Sequence, residues 1–554
     1  MFSNKHNVNV LTSLLLAHNV RSAVLCPGSR NAPLVHNLVS AGLHTYAVTD
    51  ERSAGFFALG LALREGPVAV CVTSGSALLN LLPSVAEAFY QHVPLLVISA
   101  DRPQAWIGQQ DGQTLPQPGA LAPYVLSSVS LPEPHDGESQ WYCNRLVNEA
   151  LLAMHTHGGG PVHINVPVSE PLYGFSSDSL PCERSVSLFA ADSLSDASLD
   201  RFFRLFDRAR RPMIVFGQNR FDIDTQILSA HAVVLSESRS LAAGLRHADG
   251  ILLRRSADPD GFDRLMAPDL VLYAGGTVVS RRLREFLRSV PSDQYFISPS
   301  SGLCDTFRHL SAVIRTDPSA FFQALSQHLL RRSADPDRAF IGAWQHADAE
   351  IGEGLRSATL PFSSVSVVRS LERHLDRSAS RPRRVYANSS AVRLANLFAP
   401  AGIYCNRGVN GIEGSLSTAV GLAADGIETC CVIGDLSFFY DQNALWNGHV
   451  SPNLRILLLN NGGGSIFGKF DALKESPARD RFVMARHRAS ARGICDQCGI
   501  LHLSASDSSS FERALTSFLR PSDSPQLLEV LTDPDDDWNA LSSCLSQAAA
   551  IVKK

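Results

Sequence analysis

Two segments, far apart in the chain, carry oxygen-bearing side chains at spacings suited to one charged ligand. Gly434-Asp435 closes one apolar run, and Asn460-Asn461-Gly462-Gly463 closes the next. Asp435 and Asn461 lie 26 positions apart, room for one helix and one strand. That returns both side chains to one edge of a parallel sheet, where ligands bind. A carboxylate, an amide oxygen and a nearby backbone carbonyl suit a hard cation. They leave room for phosphate oxygens and water in a Mg²⁺ octahedron. The alternative for Asn460–Gly464 is an ordinary polar loop. Far upstream, Asp50-Glu51 opens a helical stretch. Read alone, Glu51 is also explained as a helix-start charge favoured by the dipole.

Strands and helices must alternate to position such groups. Short apolar runs at Ser22–Cys26, Val68–Val72, Leu95–Ser99 and Val162–Val166 end in polar or glycine turns. Runs of this kind suit parallel strands covered on both faces. A mixed stretch, Ser176–Ser195, reads as a linker. A second series follows near Met213–Phe216, Ala232–Leu235, Val271–Ala274 and Tyr295–Ser298. A polar segment, Arg331–Arg338, leads to a third series at Val385–Ala387, Cys430–Ile433, Ile456–Leu459 and Leu527–Val530. The economical reading is an α/β chain of three doubly wound parallel-sheet domains, over 1–178, 190–340 and 360–554. The first and third regions also match internally. Gly60-Leu61-Ala62 precedes Ser74 by the offset at which Gly421-Leu422-Ala423 precedes Asp435. Gly-Leu-Ala is a common helix fragment, so coincidence is the alternative to duplication.

The bulk numbers narrow the function classes. With 554 residues, 45% apolar and 18% charged, the chain is ordinary globular material. A net charge of −4 gives no electrostatic case for nucleic acid or a membrane surface. No apolar run approaches the ~20 residues that cross a bilayer. Val8–Ala17 lacks a basic start and reads as a first helix, not a signal peptide. The 11 cysteines are scattered, several inside strand-like runs, which suits a reducing cytoplasm. Cys495 and Cys498 form one CxxC, and zinc would need a second pair.

Asp435…Asn460-Asn461, with an upstream Glu51, resembles the motif set of thiamine diphosphate-dependent decarboxylase-like enzymes. The usual third motif residue is glycine; here it is Leu436. Further segments occur in order: Cys26-Pro27-Gly28-Ser29-Arg30, Thr73-Ser74-Gly75-Ser76, Ala100-Asp101-Arg102-Pro103, Asn406-Arg407-Gly408 and Gly434-Asp435-Leu436-Ser437. Together they resemble the branch that decarboxylates 2-oxoglutarate and adds the four-carbon product to isochorismate in menaquinone biosynthesis. Leu436 fits that branch.

The resemblance implies roles. The first domain binds the aminopyrimidine ring, with Glu51 as its hydrogen-bonding partner and Ser74 nearby. The last domain binds the diphosphate, with Asp435, Asn461 and Gly463 holding Mg²⁺ or Mn²⁺. Ile412 becomes the apolar wedge between the cofactor rings, and Ile466 and Phe467 pack nearby. For Ile412 alone, a core position is the plainer reading. Ser29, Arg30, Arg102, Gln113, Ser389, Arg393 and Arg407 line the substrate pocket, and Arg281 and Arg282 extend it. Glu51, Arg30, Arg393 and Arg407 carry the catalytic expectation. Any single arginine is otherwise a solvated charge. Arg30 and Arg102, however, each follow an apolar strand, at the ligand edge. Where the family often has Asn-Gln, this chain has Gly112-Gln113. The active site is expected between two subunits of a homodimer or a dimer of dimers. The other readings are a different 2-oxoacid carboligase and an inactive scaffold. No glycine-rich fingerprint marks a flavin in the middle region.

Overall fold

The computed structural model describes residues 1–188, 194–300, 302–331, 336–469, 473 and 475–550. Residues 189–193 of the expected linker and 332–335 of the polar segment lie outside them. Three sheets follow one another, and every strand pair in them is parallel. The first comprises β1 (Ser22–Leu25), β2 (His44–Ala47), β3 (Val68–Val72), β4 (Leu95–Asp101), β5 (Ser128–Ser130) and β6 (Val162–Pro167). Their order is β2-β1-β3-β4-β6-β5. The second comprises β7 (Pro212–Phe216), β8 (Val233–Ser236), β9 (Leu270–Ala274), β10 (Asp293–Ser298) and β11 (Leu310–Arg315), ordered β11-β10-β9-β7-β8. The third comprises β12 (Arg383–Tyr386), β13 (Thr429–Gly434), β14 (Leu454–Asn460), β15 (Leu501–Ala505) and β16 (Gln526–Leu531), ordered β12-β13-β14-β16-β15.

The expected runs all form strands, because central parallel strands are covered on both faces. Every residue of β3, β4 and β14 is buried. The strands absent from the sequence reading are β2, β5, β11 and β15. Each is a sheet edge and each is partly exposed, so none shows a continuous apolar run. Val8–Ala17 lies within helix His6–Ala17, which buries Val8, Val10, Leu11, Leu14 and Leu15. Among the described residues, no helix is long and apolar enough to cross a membrane.

Deleting the edge strand β2 leaves the first sheet with the strand order of the third. Both Gly-Leu-Ala segments lie on helices, Glu51–Glu65 and Ser415–Ala423, and these helices pack against each other. A Cβ on Gly60 would collide with the Thr418 carbonyl, and one on Gly421 with the Phe57 carbonyl. Each glycine therefore meets the residue three before the other, a reciprocal contact that relates the first and third domains by a local two-fold. One large apolar core runs through all three domains across this seam. The outer faces of the first and second sheets have cores of their own. Gly421→Ala should destabilise the protein by about 1–3 kcal/mol through overpacking. Urea unfolding reads this; an unchanged midpoint would mean the seam is loose.

Candidate active site

The carboxyl edge of the third sheet gathers the candidate metal ligands. β13 and β14 are adjacent, with Gly434 paired to Leu459, so the segments that follow them open side by side. Asp435, 3% exposed, begins helix Asp435–Tyr440. One of its oxygens accepts the Leu436 N–H at 2.6 Å and the other the Gly463 N–H at 2.9 Å. Burial raises its pKa; those two amides and the nearby His487 oppose the rise. Gly463 has φ +152°, and a Cβ there would lie 2.7 Å from the Met484 carbonyl, so a side chain is excluded twice. The Asn461 amide donates to Asp537 at 2.9 Å. That turns its oxygen, which accepts no hydrogen bond among the described residues, into a free ligand.

A divalent cation fits this donor set and would leave its open positions to diphosphate oxygens and water. The set offers one fixed carboxylate, one oriented amide oxygen and the Gly463 carbonyl, which among the described residues accepts only the Ser465 N–H, at 3.0 Å. All are hard oxygen donors. No cluster of three or more His, Cys, Asp or Glu competes for a softer metal among the described residues.

The same edge collects apolar and cationic groups. Ile412 is 40% exposed, and its carbonyl accepts a bond from Ser437, on the helix that Asp435 begins. Ile466 and Phe467 lie in the short helix Ser465–Lys469, directly after the glycine turn. The Ser465 hydroxyl is 3.5 Å from that of Ser390, the neighbour of Ser389. Ser389 adopts φ +69°, a sparsely populated conformation for a residue with a side chain. Its carbonyl accepts a 2.5 Å bond from Arg393, one turn along helix Ser390–Phe398. Arg407 is 9% exposed and reaches Asn388 at 3.4 Å. Burial, with the charges of Arg239 and Arg393 beside it, pushes its pKa down to about 10. Burial also lowers that of Arg393. Among the described residues, neither guanidinium forms an ion pair.

The remaining expected residues lie elsewhere. Glu51 is the first residue of its helix, and Asp50 caps it by accepting the Ser53 N–H at 3.0 Å. The Glu51 carboxylate accepts from Asn80 at 3.1 Å. Ser74 is buried after β3, and its neighbour Gly75 donates to buried Gln117 at 2.7 Å. Ser29 is exposed, whereas Arg30 is buried and donates to the Val168 carbonyl at 3.0 Å and to Glu170 at 3.1 Å. Arg102 contacts Asp111 at 3.0 Å and the Gly112 carbonyl at 3.1 Å, beside exposed Gln113. No hydrogen bond or ion pair among the described residues joins Glu51, Arg30 or Arg102 to Asp435, Asn461 or Gly463. Arg281, with its side chain 72% exposed, pairs with Glu285, and Arg282 lies 3.7 Å from Asp249.

Sequence reasoning missed Asn80, Gln117, Asp537 and His487. Asp537 anchors Asn461 and accepts the Ser364 N–H at 2.6 Å and the Thr532 hydroxyl at 2.9 Å. The Nδ1 atom of His487 accepts the Ala489 N–H at 3.1 Å, so in the neutral ring the proton sits on Nε2, 3.3 Å from Asp435. No local motif marks these residues, since each acts on a partner from another element.

Asp441 closes the helix begun by Asp435. Fully buried, it accepts both the N–H and the hydroxyl of Ser417 at 2.8 Å. Burial pushes its pKa up to about 6. Above that pH the fold holds a buried anion; below it the group is neutral. Stability from this site is therefore gained as pH falls from about 7 towards 4. A two-unit shift corresponds to roughly 3 kcal/mol. Thermal unfolding of wild type and Asp441→Asn between pH 5 and 7.5 should diverge in slope by that sign; parallel curves would refute it.

Fold and site together define a thiamine diphosphate-dependent enzyme. Residues 6–119 match the family described as thiamine pyrophosphate enzyme, N-terminal TPP binding domain. The chain is 43% identical, over 573 aligned residues, to the 2-succinyl-5-enolpyruvyl-6-hydroxy-3-cyclohexene-1-carboxylate synthase of Bacteroides fragilis, covering 99% of this chain and 100% of that one. It is 42% identical to the Bacteroides thetaiotaomicron synthase of the same name, with 99% of each chain covered. The Desulfotalea psychrophila synthase is 35% identical, with 96% of this chain and 99% of that one covered. The chain belongs to this synthase family.

Proposed function

We propose that the protein decarboxylates 2-oxoglutarate and adds the resulting four-carbon unit to isochorismate, releasing CO₂, as a step of menaquinone biosynthesis. The observation that carries the substrate assignment is the Arg393–Arg407 pair. Two half-buried or buried guanidiniums that form no ion pair among the described residues flank the candidate cofactor edge. Both substrates are dianions, and a planar guanidinium fork matches a carboxylate. A small monoanionic oxoacid would leave one of these charges unmatched.

Bound at this edge, thiamine diphosphate supplies the electron sink for CO₂ loss and for the new carbon–carbon bond. Asp435, Asn461 and Gly463 would hold the metal, Mg²⁺ or Mn²⁺, that anchors the cofactor. Ile412, Ile466 and Phe467 pack against the cofactor and exclude water. Glu51 hydrogen-bonds the aminopyrimidine and governs its proton. Arg393 and Arg407 bind substrate carboxylates with Ser389. Arg30, Arg102, Ser29 and Gln113 complete the pocket from the first domain, and Arg281 and Arg282 border it.

Among the described residues no hydrogen bond or ion pair joins Glu51 to Asp435, Asn461 or Gly463, which supports a site completed by a second copy in a homodimer or dimer of dimers. The succession of three sheets supports a division into domains at 1–178, 190–340 and 360–554. Scattered free cysteines and the net charge of −4 support a cytoplasmic protein without nucleic-acid partners.

The test is isochorismate consumption with thiamine diphosphate and Mg²⁺, comparing 2-oxoglutarate with pyruvate. Loss of isochorismate only with 2-oxoglutarate supports the proposal. CO₂ release without isochorismate loss assigns another 2-oxoacid carboligase or decarboxylase. Arg393→Ala should raise the isochorismate KM by about 10–100-fold, the worth of one charge-assisted bond of ~1.5–3 kcal/mol. Cofactor affinity should hold; a fall in cofactor affinity alone would remove Arg393 from the substrate pocket.

A further inference from the structure

The loop 405–412 carries Arg407 and Ile412, and it is gripped from two other domains at once. On one side stands Glu87, on helix Leu82–Gln91 of the first domain. This carboxylate is 3% exposed and has no cationic partner among the described residues. One oxygen accepts the Gly408 N–H at 2.6 Å, and the other accepts the Val409 N–H at 2.7 Å. Gln91 donates to the same carboxylate at 2.6 Å. On the other side stands the second domain. Gln218 donates to the Cys405 carbonyl at 3.2 Å, and the Thr277 hydroxyl to the Arg407 carbonyl at 3.1 Å. Gln218 is itself held by Arg239, which donates to it at 2.6 Å, and it donates at 2.9 Å to Gln91. The circuit thus closes through all three domains.

The Gly408 and Val409 amides go to the first domain, the Cys405 and Arg407 carbonyls go to the second, and Asn388 and Ser437 of the third domain hold the Asn406, Gly411 and Ile412 carbonyls. A residue with a side chain at 408 would break the arrangement, because its Cβ would lie 2.8 Å from the Glu87 carbonyl and 3.0 Å from Tyr90. A buried carboxylate is costly unless its hydrogen bonds are made. Two consecutive backbone amides from another domain are a specific way to make them, and they fix the loop in register.

We propose that Glu87 is a positioning residue for substrate binding. By fixing the Gly408 and Val409 amides against the grip of Gln218 and Thr277, it sets where Arg407 presents its guanidinium. The second domain, which supplies none of the candidate metal ligands, thereby takes part in substrate recognition. This rests on the substrate role given to Arg407 above.

Glu87→Gln is near-isosteric and keeps one acceptor, and Gln218→Leu breaks the opposite side. Two readouts separate positioning from mere stability. Hydrogen exchange in the peptide covering 404–414 should rise about tenfold in Glu87→Gln, the effect of losing one buried bond. Exchange in helix Glu51–Glu65 should be unchanged. Steady-state kinetics should show the isochorismate KM raised about tenfold in both variants, with the thiamine diphosphate-induced rise in melting temperature retained. A lower melting temperature with an unchanged KM would make Glu87 purely structural and overturn the proposal. Unchanged exchange would overturn it as well. If the wild type consumes no isochorismate, the assigned reaction fails separately. The KM of whichever 2-oxoacid it does decarboxylate must then rise in both variants, and a constant value refutes the positioning role.

Discussion

Glu51→Gln should lower turnover by roughly 10²–10⁴-fold, the usual worth of a positioned proton-transfer group, and should leave a folded protein that still binds thiamine diphosphate. The fold should survive because the change is nearly isosteric. Asp50, not Glu51, caps the helix, and glutamine can still accept from Asn80. Only the loss of charge at a helix start remains, worth about 0.3–1 kcal/mol. Turnover with isochorismate and 2-oxoglutarate, set beside cofactor binding by calorimetry, reads both halves. Wild-type turnover would take Glu51 out of the chemistry.

Asp435→Asn should abolish metal-dependent cofactor binding. The carboxylate is the only anion among the three expected ligands. Its loss should weaken metal binding well beyond the ~10–100-fold caused by outer-shell changes. Asparagine retains one oxygen acceptor for the Leu436 and Gly463 amides, so gross unfolding is not expected. In the wild type, thiamine diphosphate with Mg²⁺ should raise the melting temperature, since a ligand bound only by the native state stabilises it. EDTA should cancel the rise and Mn²⁺ restore it. In the variant no metal-dependent rise should appear; a normal one would mean that Asp435 is not a ligand.

How far the sequence could be read depended on where each residue sits. Central strands such as β3, β4 and β14 announce themselves because burial on both faces demands an unbroken apolar run. Edge strands β2 and β15 leave part of each strand in water, and that signal disappears. Asp435 and Asn461 were legible as a pair because one strand–helix–strand unit has a nearly fixed length. Asp537, which orients Asn461, comes from the chain's last helix and follows no such rule. Nor does Glu87, whose partners Gly408 and Val409 lie more than 300 residues further along the sequence. A run of arginines shows the opposite limit. Arg281 and Arg282 are neighbours in sequence, yet the side chain of one is 72% exposed and that of the other 41%. Which way each arginine points depends on the angle at which helix Arg281–Ser289 meets the sheet, and a local motif does not encode that angle.

The reciprocal glycine contact between helices Glu51–Glu65 and Ser415–Ala423 also constrains how the chain can vary. Positions 60 and 421 behave as one locus written twice. A larger residue at either end meets a backbone carbonyl of the opposite helix, which no side-chain change there removes, so the same seam must open in either case. A mutational library confined to one domain would therefore find these sites intolerant. A library that diversified residues 57, 60, 418 and 421 together should still return glycine at 60 and 421, because the atoms they meet are backbone.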